Sequence, residues 1–286
     1  MAAPPSAPGE SKVAGGPAPA REPADLRAWL GGRSRSSNLA IKTTSLALLL
    51  ALWQLLAIWQ GELLFPGPVA VVQRLVGVIA EERFAFHMAQ TLLRVGGGLA
   101  VSLALAMAVG IPMGLSRPVE RFIEPYVLLG LTIPGLAWAL IAVMVVGITN
   151  WAPVLAIVAS TTPMVMLNLW QGAKSLDTDL LQMGTAFRAS RALVMRQVVL
   201  PQLFPFVLAG TRLGLALAWK IVVLSEMFGL SNGVGYQLSL NFSQFSIAGV
   251  MAWTIAFTAV MAAIEFGLLR PIEHRVTRWR PSVQGA

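Results

Sequence analysis

Six long apolar stretches constrain the fold of this chain more than any other feature of its sequence. A membrane-crossing helix needs about 20 predominantly apolar residues, and a backbone in lipid must satisfy its own hydrogen bonds, as a helix does. Hydrophobic residues make up 56% of the chain and charged residues only 12%. We therefore predict an all-α, polytopic membrane protein with about six transmembrane helices. The stretches run roughly from Leu39 to Trp59, Thr91 to Leu115, Val127 to Ile148, Ala152 to Trp170, Phe206 to Phe228 and Ala248 to Leu269.

The net charge of +8 is distributed as membrane topology would distribute it. Basic residues precede the first stretch, recur between Lys174 and Arg212 and follow the last stretch, whereas Leu230 to Ile247 has no charge. The positive-inside rule then places both termini and the loop after Lys174 in the cytoplasm. No aromatic-basic stacking pattern accompanies this charge, so nucleic acid is not an expected partner.

Composition divides the chain into three parts. Residues 1–37 are rich in Pro, Ala and Gly and predict a disordered, basic cytoplasmic tail. Residues 38–275 form the predicted membrane domain, and residues 276–286 a second cytoplasmic tail. The first apolar stretch ends without a small-residue cleavage pattern, which indicates a retained anchor rather than a signal peptide.

One loop concentrates charge after a long segment without any. Between Pro125 and Ala173 there is no Asp, Glu, Lys or Arg, and then Lys174, Asp177 and Asp179 follow closely. We call residues 174–205 the charged loop. Its composition, between two apolar stretches, predicts a docking surface for a cytoplasmic partner.

The charged loop resembles the "EAA" loop of the permease subunits of bacterial ABC importers. The resemblance rests on Asp179 to Ser190 and on the run Val198-Val199-Leu200-Pro201. It implies a first coupling helix from about Thr178 to Phe187 and a second one that begins near Arg191. The implied ATPase-docking residues are Asp179, Gln182, Met183, Gly184, Ala186, Phe187, Arg188, Ser190, Leu200 and Pro201.

Arg188 and Gln182 depart from the family pattern in ways that bear on the charged loop. Arg188 stands where a Gly usually ends the first helix, and the left-handed backbone expected there costs a non-glycine residue roughly 1 kcal/mol. Ser190 is placed to cap the second helix. Gln182 replaces a Glu, which removes a charge and leaves open a non-standard ATPase partner.

Four further motifs extend the resemblance to the nitrate/sulfonate/taurine branch of these permeases. They are Leu64-Phe65-Pro66-Gly67-Pro68, Thr91-Leu92-Leu93-Arg94-Val95, Thr132-Ile133-Pro134-Gly135-Leu136-Ala137-Trp138, and Ser225-Glu226-Met227 with Asn232-Gly233-Val234-Gly235-Tyr236. The resemblance implies a type I ABC importer permease in the bacterial inner membrane, with two such chains, expected to be a homodimer, forming the pathway. Two cytoplasmic ATPases would hold ATP and Mg, and a periplasmic or lipid-anchored binding protein would deliver a small, often anionic solute. No cofactor is expected on this chain.

Local patterns predict three further features. Val69, Val72, Leu75, Val76 and Ile79 recur at helical spacing and predict a short amphipathic helix on the outer face. A short cytoplasmic turn is expected from Ser116 to Pro125. Pro134 is expected to bend the third apolar stretch.

Lys220 and Glu226 are expected to be the only ionisable groups well inside the apolar stretches. Such groups usually face the interior of a helix bundle, and six residues place the two about 240° apart on a helix. Glu226 is expected either to act in the pathway or to make a buried structural hydrogen bond. The residues that are candidates for lining the pathway are Thr132, Pro134, Trp138, Ser160, Thr161, Asn168, Ser225 and Glu226.

The sequence offers no catalytic cluster. His87 and His274 are predicted on opposite sides of the membrane, there is no cysteine, and no P-loop motif is present. ATP hydrolysis is therefore expected on a separate subunit. The alternatives are a secondary transporter driven by an ion gradient, which would favour an inverted repeat, and a membrane-embedded enzyme that acts on lipid.

Overall fold

The computed structural model describes residues 35–61, 64–81, 83–271 and 275. Residues 1–34 of the predicted N-terminal tail, the tail 276–286 and His274 lie outside the described residues. The chain divides into two compact units, Met1–Leu55 and Leu56–Ala286, and the helix bundle considered below belongs to the second.

The described residues are helical almost throughout. A π-helical turn, Met195–Val199, precedes the ninth helix, and another, Glu265–Leu269, follows the last. The α-helices are α1 (Arg35–Gln60), α2 (Pro68–Glu81), α3 (Phe84–Leu115), α4 (Arg117–Thr132), α5 (Gly135–Val146), α6 (Trp151–Lys174), α7 (Thr178–Ala186), α8 (Arg191–Val194), α9 (Leu200–Gly229), α10 (Val234–Ser243) and α11 (Ile247–Ile264).

The six predicted spans are all present as helices. Within the described residues, five helical segments are long and apolar enough to cross a membrane, and α4 with α5 makes a sixth, broken span. The all-α, six-span prediction is therefore confirmed. The five unbroken segments are Ala40–Gln60, Phe84–Leu115, Trp151–Lys174, Arg191–Gly229 and Ile247–Leu269.

The third span is interrupted rather than bent. Helices α4 and α5 meet at 98° around Ile133 and Pro134, both of which have extended backbones. A proline disfavours helical geometry at the residue before it, which explains why α4 ends at Thr132. The turn predicted from Ser116 to Pro125 is wrong, because α4 already begins at Arg117. A proline in the first helical turn, as at Pro118, is compatible with the start of a helix.

Helices α3, α6 and α9 form the centre of the bundle, and glycines let them approach closely. A Cβ added at Gly114 of α3 would lie 2.3 Å from the Cβ of Ala173 on α6. One added at Gly98 would lie 2.7 Å from the side chain of Ile157. In lipid, helices associate through van der Waals packing rather than the hydrophobic effect, and small residues at these crossings permit the close approach that such packing needs.

The outer connections differ from the sequence expectation in two places. Helix α2 forms as predicted, and it packs against α11 with Val78, while Val69 and Val76 of the predicted apolar face are exposed. Both faces of α2 are apolar, so periodicity alone could not say which one meets protein. The uncharged segment from Leu230 to Ile247 is not a plain loop, because it contains α10 with Gln237 buried.

Candidate functional site

The charged loop folds as two short helices, α7 and α8. Helix α7 spans Thr178–Ala186, within one residue of the prediction, and α8 begins at Arg191 as predicted. Asp177 Oδ1 accepts a hydrogen bond from the backbone N–H of Asp179 at 2.9 Å, which satisfies one of the free donors at the start of α7.

Arg188 ends α7 in the left-handed conformation that the family's Gly would adopt, with φ of +52°. The N–H of Ala189 then donates to the carbonyl of Gly184 at 2.9 Å, and that of Phe187 to the carbonyl of Met183 at 3.0 Å. The bond from Ala189 to Gly184 is the long hydrogen bond of a Schellman motif. The charged loop therefore makes, with an Arg, the left-handed turn that was expected to favour Gly at this position.

Ser190 caps α8, as predicted. Its Oγ accepts a hydrogen bond from the N–H of Leu193 at 3.2 Å. The π turn then joins α8 to α9, so that one helical segment runs from Arg191 to Gly229. The charged loop is thus continuous with the fifth span.

The charged loop has an inner face packed against the bundle and an exposed outer face. Leu181 and Val194 pack on a buried apolar cluster that includes Leu176 and Leu203. A Cβ added at Gly184 would lie 2.9 Å from Val194 Cγ2, so this glycine sets the spacing between α7 and α8.

On the outer face, Met183 is 52% exposed and Phe187 79% exposed. Every predicted docking residue is exposed except Gly184, which is half-buried between the two helices. Their role in binding an ATPase stays a prediction.

A buried ion pair lies near the other end of α9. Glu226 is fully buried, and its Oε1 lies 2.6 Å from Nη1 of Arg94 on α3. Thr91 Oγ1 lies 2.9 Å from both carboxylate oxygens, and the N–H of Gly235 donates to Oε2 at 2.9 Å. At a rise of 1.5 Å per residue, Glu226 lies about 39 Å from Leu200 at the charged loop.

Arg94 also donates hydrogen bonds to the two segments that connect α5 to α6 and α9 to α10. Its Nη1 also donates to the carbonyl of Asn232 at 3.1 Å, and its Nη2 donates to Asn150 Oδ1 at 2.6 Å and to the side chain of Asn232. Asn150 lies between α5 and α6, and Asn232 between α9 and α10. A buried charge pair is stable only when such additional hydrogen bonds satisfy it.

Two glycines allow the connection after α9 to approach Glu226 closely, one against its carboxylate and one against the α9 backbone. A Cβ at Gly233, where φ is +109°, would lie 2.4 Å from the Glu226 carboxyl group. A Cβ at Gly235 would lie 2.3 Å from the carbonyl oxygen of Val223. Both positions belong to the sequence motif Asn232 to Tyr236, whose glycines are thereby explained.

The sequence expectation for ionisable groups was wrong in one respect, because Arg94 is buried as deeply as Glu226. The second span was expected to begin at Thr91, which left Arg94 near its end, whereas α3 begins at Phe84. A single Arg within the apolar run from Thr91 to Val95 was the available signal. Lys220, by contrast, is exposed and does not pair with Glu226.

The structure does not gather the predicted pathway residues into one site. Thr132 and Pro134 are exposed at the break between α4 and α5. Thr161 and Ser225 are fully buried, and their hydroxyls, like Trp138 Nε1, have no partner among the described residues.

Two half-buried candidates bond within their own helix. Ser160 Oγ donates to the carbonyl of Ile157 at 3.2 Å, and Asn168 Nδ2 to that of Met164 at 3.3 Å. Glu226 occupies the buried, hydrogen-bonded environment of its second expected role. The lining of the pathway stays a prediction.

Sequence comparison identifies the family to which this helix bundle belongs. The family model for binding-protein-dependent transport system inner membrane components matches residues 98–278. The chain belongs to this family, and it is a multi-pass permease subunit of an ATP-driven importer. The predicted resemblance is confirmed.

Individual relatives agree with this assignment. The taurine transport system permease protein of Escherichia coli is 30% identical over 90% of this chain and 94% of its own length. The formylaminopyrimidine transport permease protein of Halalkalibacterium halodurans is 27% identical over 86% of this chain and 98% of its own length. The fold resembles that of the MetNI methionine ABC transporter in an inward-facing conformation, with a TM-score of 0.54 and 17% identity over 70% of this chain and 100% of the matched chain.

Proposed function

We propose that this chain works as one of two identical permease copies and binds a cytoplasmic ATPase through the outer face of α7 and α8. ATP and Mg are held by the ATPase subunits, of which there are two. A periplasmic or lipid-anchored binding protein delivers the solute to the opposite end of the bundle. Both termini lie in the cytoplasm, as the excess of basic residues on that side indicates.

The observation that carries this proposal is the exposure of Met183 and Phe187 on a loop that is otherwise locked. Large apolar side chains on an aqueous face mark interaction sites, and buried aromatic anchors dominate the energetics of most interfaces. The left-handed turn at Arg188, the cap at Ser190 and the packing of Gly184 on Val194 fix the geometry of this face. A face that is rigid before binding loses little conformational entropy when it docks.

For the solute we propose a small anion of the sulfonate type. The relative with 30% identity is named for taurine, an aminosulfonate, and the branch motifs predict the same class. Nitrate and related small anions belong to the same prediction.

The proposal is tested by purifying the tagged chain from its native membrane in mild detergent and quantifying the P-loop ATPase that accompanies it. We expect one ATPase for each permease. Phe187→Ala should reduce the recovered ATPase about tenfold, because the loss of one interface anchor costs roughly 1.4 kcal/mol or more. Phe228→Ala is the matched control, since Phe228 is also an exposed aromatic residue, 52% accessible, but lies at the other end of α9.

A second pair of variants tests the spacing between α7 and α8 rather than the contact made by the Phe187 side chain. Gly184→Leu should separate α7 from α8 and release the ATPase, because Val194 leaves no room for a side chain. Gly267→Leu should not, since a Cβ at Gly267 meets nothing within 4 Å. Equal ATPase recovery from all four variants would refute docking through this face.

A further inference from the structure

We infer that the face of α9 bearing Lys220 lines the aqueous path, and that the Lys220 ammonium binds the anionic group of the solute in transit. The inference rests on the proposed function and assigns a residue and a charge to it.

Helix α9 has an exposed stripe through its middle. Ala209, Leu213, Ala216 and Lys220 are all exposed, and their spacing of three or four residues puts them on one face. From the helical rise, Lys220 lies about 30 Å from Leu200 and about 13 Å from Gly229, well within the apolar span. A cation at such depth is costly in lipid and normally faces protein or water.

Lys220 is also the unneutralised cation of this face. Arg212, which lies beside the stripe, forms an ion pair with Glu265 at the end of the last span. Glu226 is turned away, buried and paired with Arg94. Among the residues that the structure describes, the Lys220 ammonium has no hydrogen-bond or ionic partner, so its charge is available to a mobile anion.

The broken third span provides an independent indication at the same depth. A Cβ at Gly135, the first residue of α5, would lie 2.3 Å from Ile221 Cδ1, the neighbour of Lys220. The break therefore lies at about the depth of Lys220, against a neighbouring face of α9 about 100° round the helix. Thr132, Ile133 and Pro134 are exposed there. Non-helical backbone at membrane depth is tolerated where it is buried in protein or borders a watery cavity. Because these residues are exposed in the single chain, the cavity or a second copy must cover them.

Together these features describe a positively charged wall of a path shared by two copies. The stripe offers small and apolar side chains at Ala209, Leu213 and Ala216, and one cation at Lys220. Such a wall favours small anions over cations of the same size by direct attraction. A charged wall of this kind attracts the solute without a tight binding pocket. A tight pocket is not needed if a binding protein has already selected the solute.

The absence of cysteine from the chain makes a direct test possible. Ala216→Cys places a single reporter thiol about one turn from Lys220, and Leu105→Cys on α3, 43% exposed among apolar neighbours, serves as its control. Both variants are assembled in the whole transporter in membrane vesicles. They are treated with an anionic sulfonatoethyl or a cationic trimethylammonioethyl methanethiosulfonate, which react with thiolates in contact with water.

We expect Ala216→Cys to react at least about tenfold faster than Leu105→Cys. We also expect the ratio of anionic to cationic labelling at Ala216→Cys to fall roughly fivefold in Lys220→Gln and to be kept in Lys220→Arg. The ratio is used because a change in thiolate fraction affects both reagents equally. Ethanesulfonate, added as the solute probe, should slow the labelling with Lys220 present and not in Lys220→Gln.

Three results would overturn the inference. Slow labelling at Ala216→Cys would put the stripe in lipid or in a dry contact. An unchanged labelling ratio in Lys220→Gln would mean that the ammonium extends out of the path, and absence of protection by ethanesulfonate would exclude anion binding. None of these three results depends on ATPase recovery, so the inference can fail while the proposed function stands, and the two failures are distinguishable.

Discussion

Arg94 and Glu226 are 132 positions apart in the sequence, yet Arg94 Nη1 and Glu226 Oε1 lie 2.6 Å apart and both side chains are buried. Their pairing joins α3 to α9 and, through Asn150 and Asn232, fixes the two connections at that end of the bundle. Removal of either charge leaves the other one buried without compensation, which is the most costly way to break such a pair.

We therefore expect Arg94→Met to lower the free energy of unfolding by about 3–5 kcal/mol. The double variant Arg94→Met with Glu226→Met should recover part of that loss, because no unpaired charge then remains. Reversible unfolding in mixed micelles measures both. The half-exposed pair of Lys174 with Glu120 is the control, and Lys174→Met should cost at most about 1 kcal/mol.

Gly233→Ala is expected to destabilise the same end of the bundle by roughly 1–3 kcal/mol. Its φ of +109° is strained for alanine, and the added Cβ would displace the Glu226 carboxylate. Gly96→Ala should instead be neutral or stabilising by up to about 1 kcal/mol, since Gly96 is in the middle of α3 with open space around it. If the two variants unfold alike, the close approach of Gly233 to Glu226 is not significant.

Arg188→Gly should stabilise the charged loop by about 1 kcal/mol, because glycine adopts the left-handed backbone without steric cost. Hydrogen exchange of the amides from Thr178 to Ala189 reports this as slower local opening. Arg191→Gly, at the first residue of α8, removes a similar side chain from a right-handed position and should accelerate exchange. Faster exchange in Arg188→Gly would show that the Arg188 side chain stabilises the loop more than its backbone strains it.

Ser190→Ala should cost α8 about 0.5–2 kcal/mol, since the N–H of Leu193 then loses its acceptor. Ser190→Asp keeps an acceptor at the same position and should retain the stability. Exchange of the Leu193 amide distinguishes the two variants, and equal protection in both would mean that the cap contributes nothing.

The sequence was most informative where local chemistry decides the structure. The cap at Ser190 follows from a short-range rule, and the family resemblance implied the start of α8 and the left-handed turn at Arg188. The structure agrees with all three. The pairing of Glu226 with Arg94 could not be predicted, because nothing near Glu226 in the chain indicates contact with α3. Arg94 was also expected near a helix end, where a charged side chain can reach water. The buried face of α2 was equally inaccessible, since lipid and protein interior both accept valine, and apolar periodicity does not distinguish them.

The π turn at Met195–Val199 keeps the second helix of the charged loop continuous with the fifth span, so a movement of the loop is transmitted along that span. Because the helix is continuous from Arg191 to Gly229, it is a lever of 39 residues, about 58 Å long. A tilt of about 5° applied at the loop end would carry the far end through roughly 5 Å, by the geometry of a rod of that length. Glu226 is near that far end and forms an ion pair with Arg94 of α3. This ion pair therefore determines whether α9 tilts alone or together with α3.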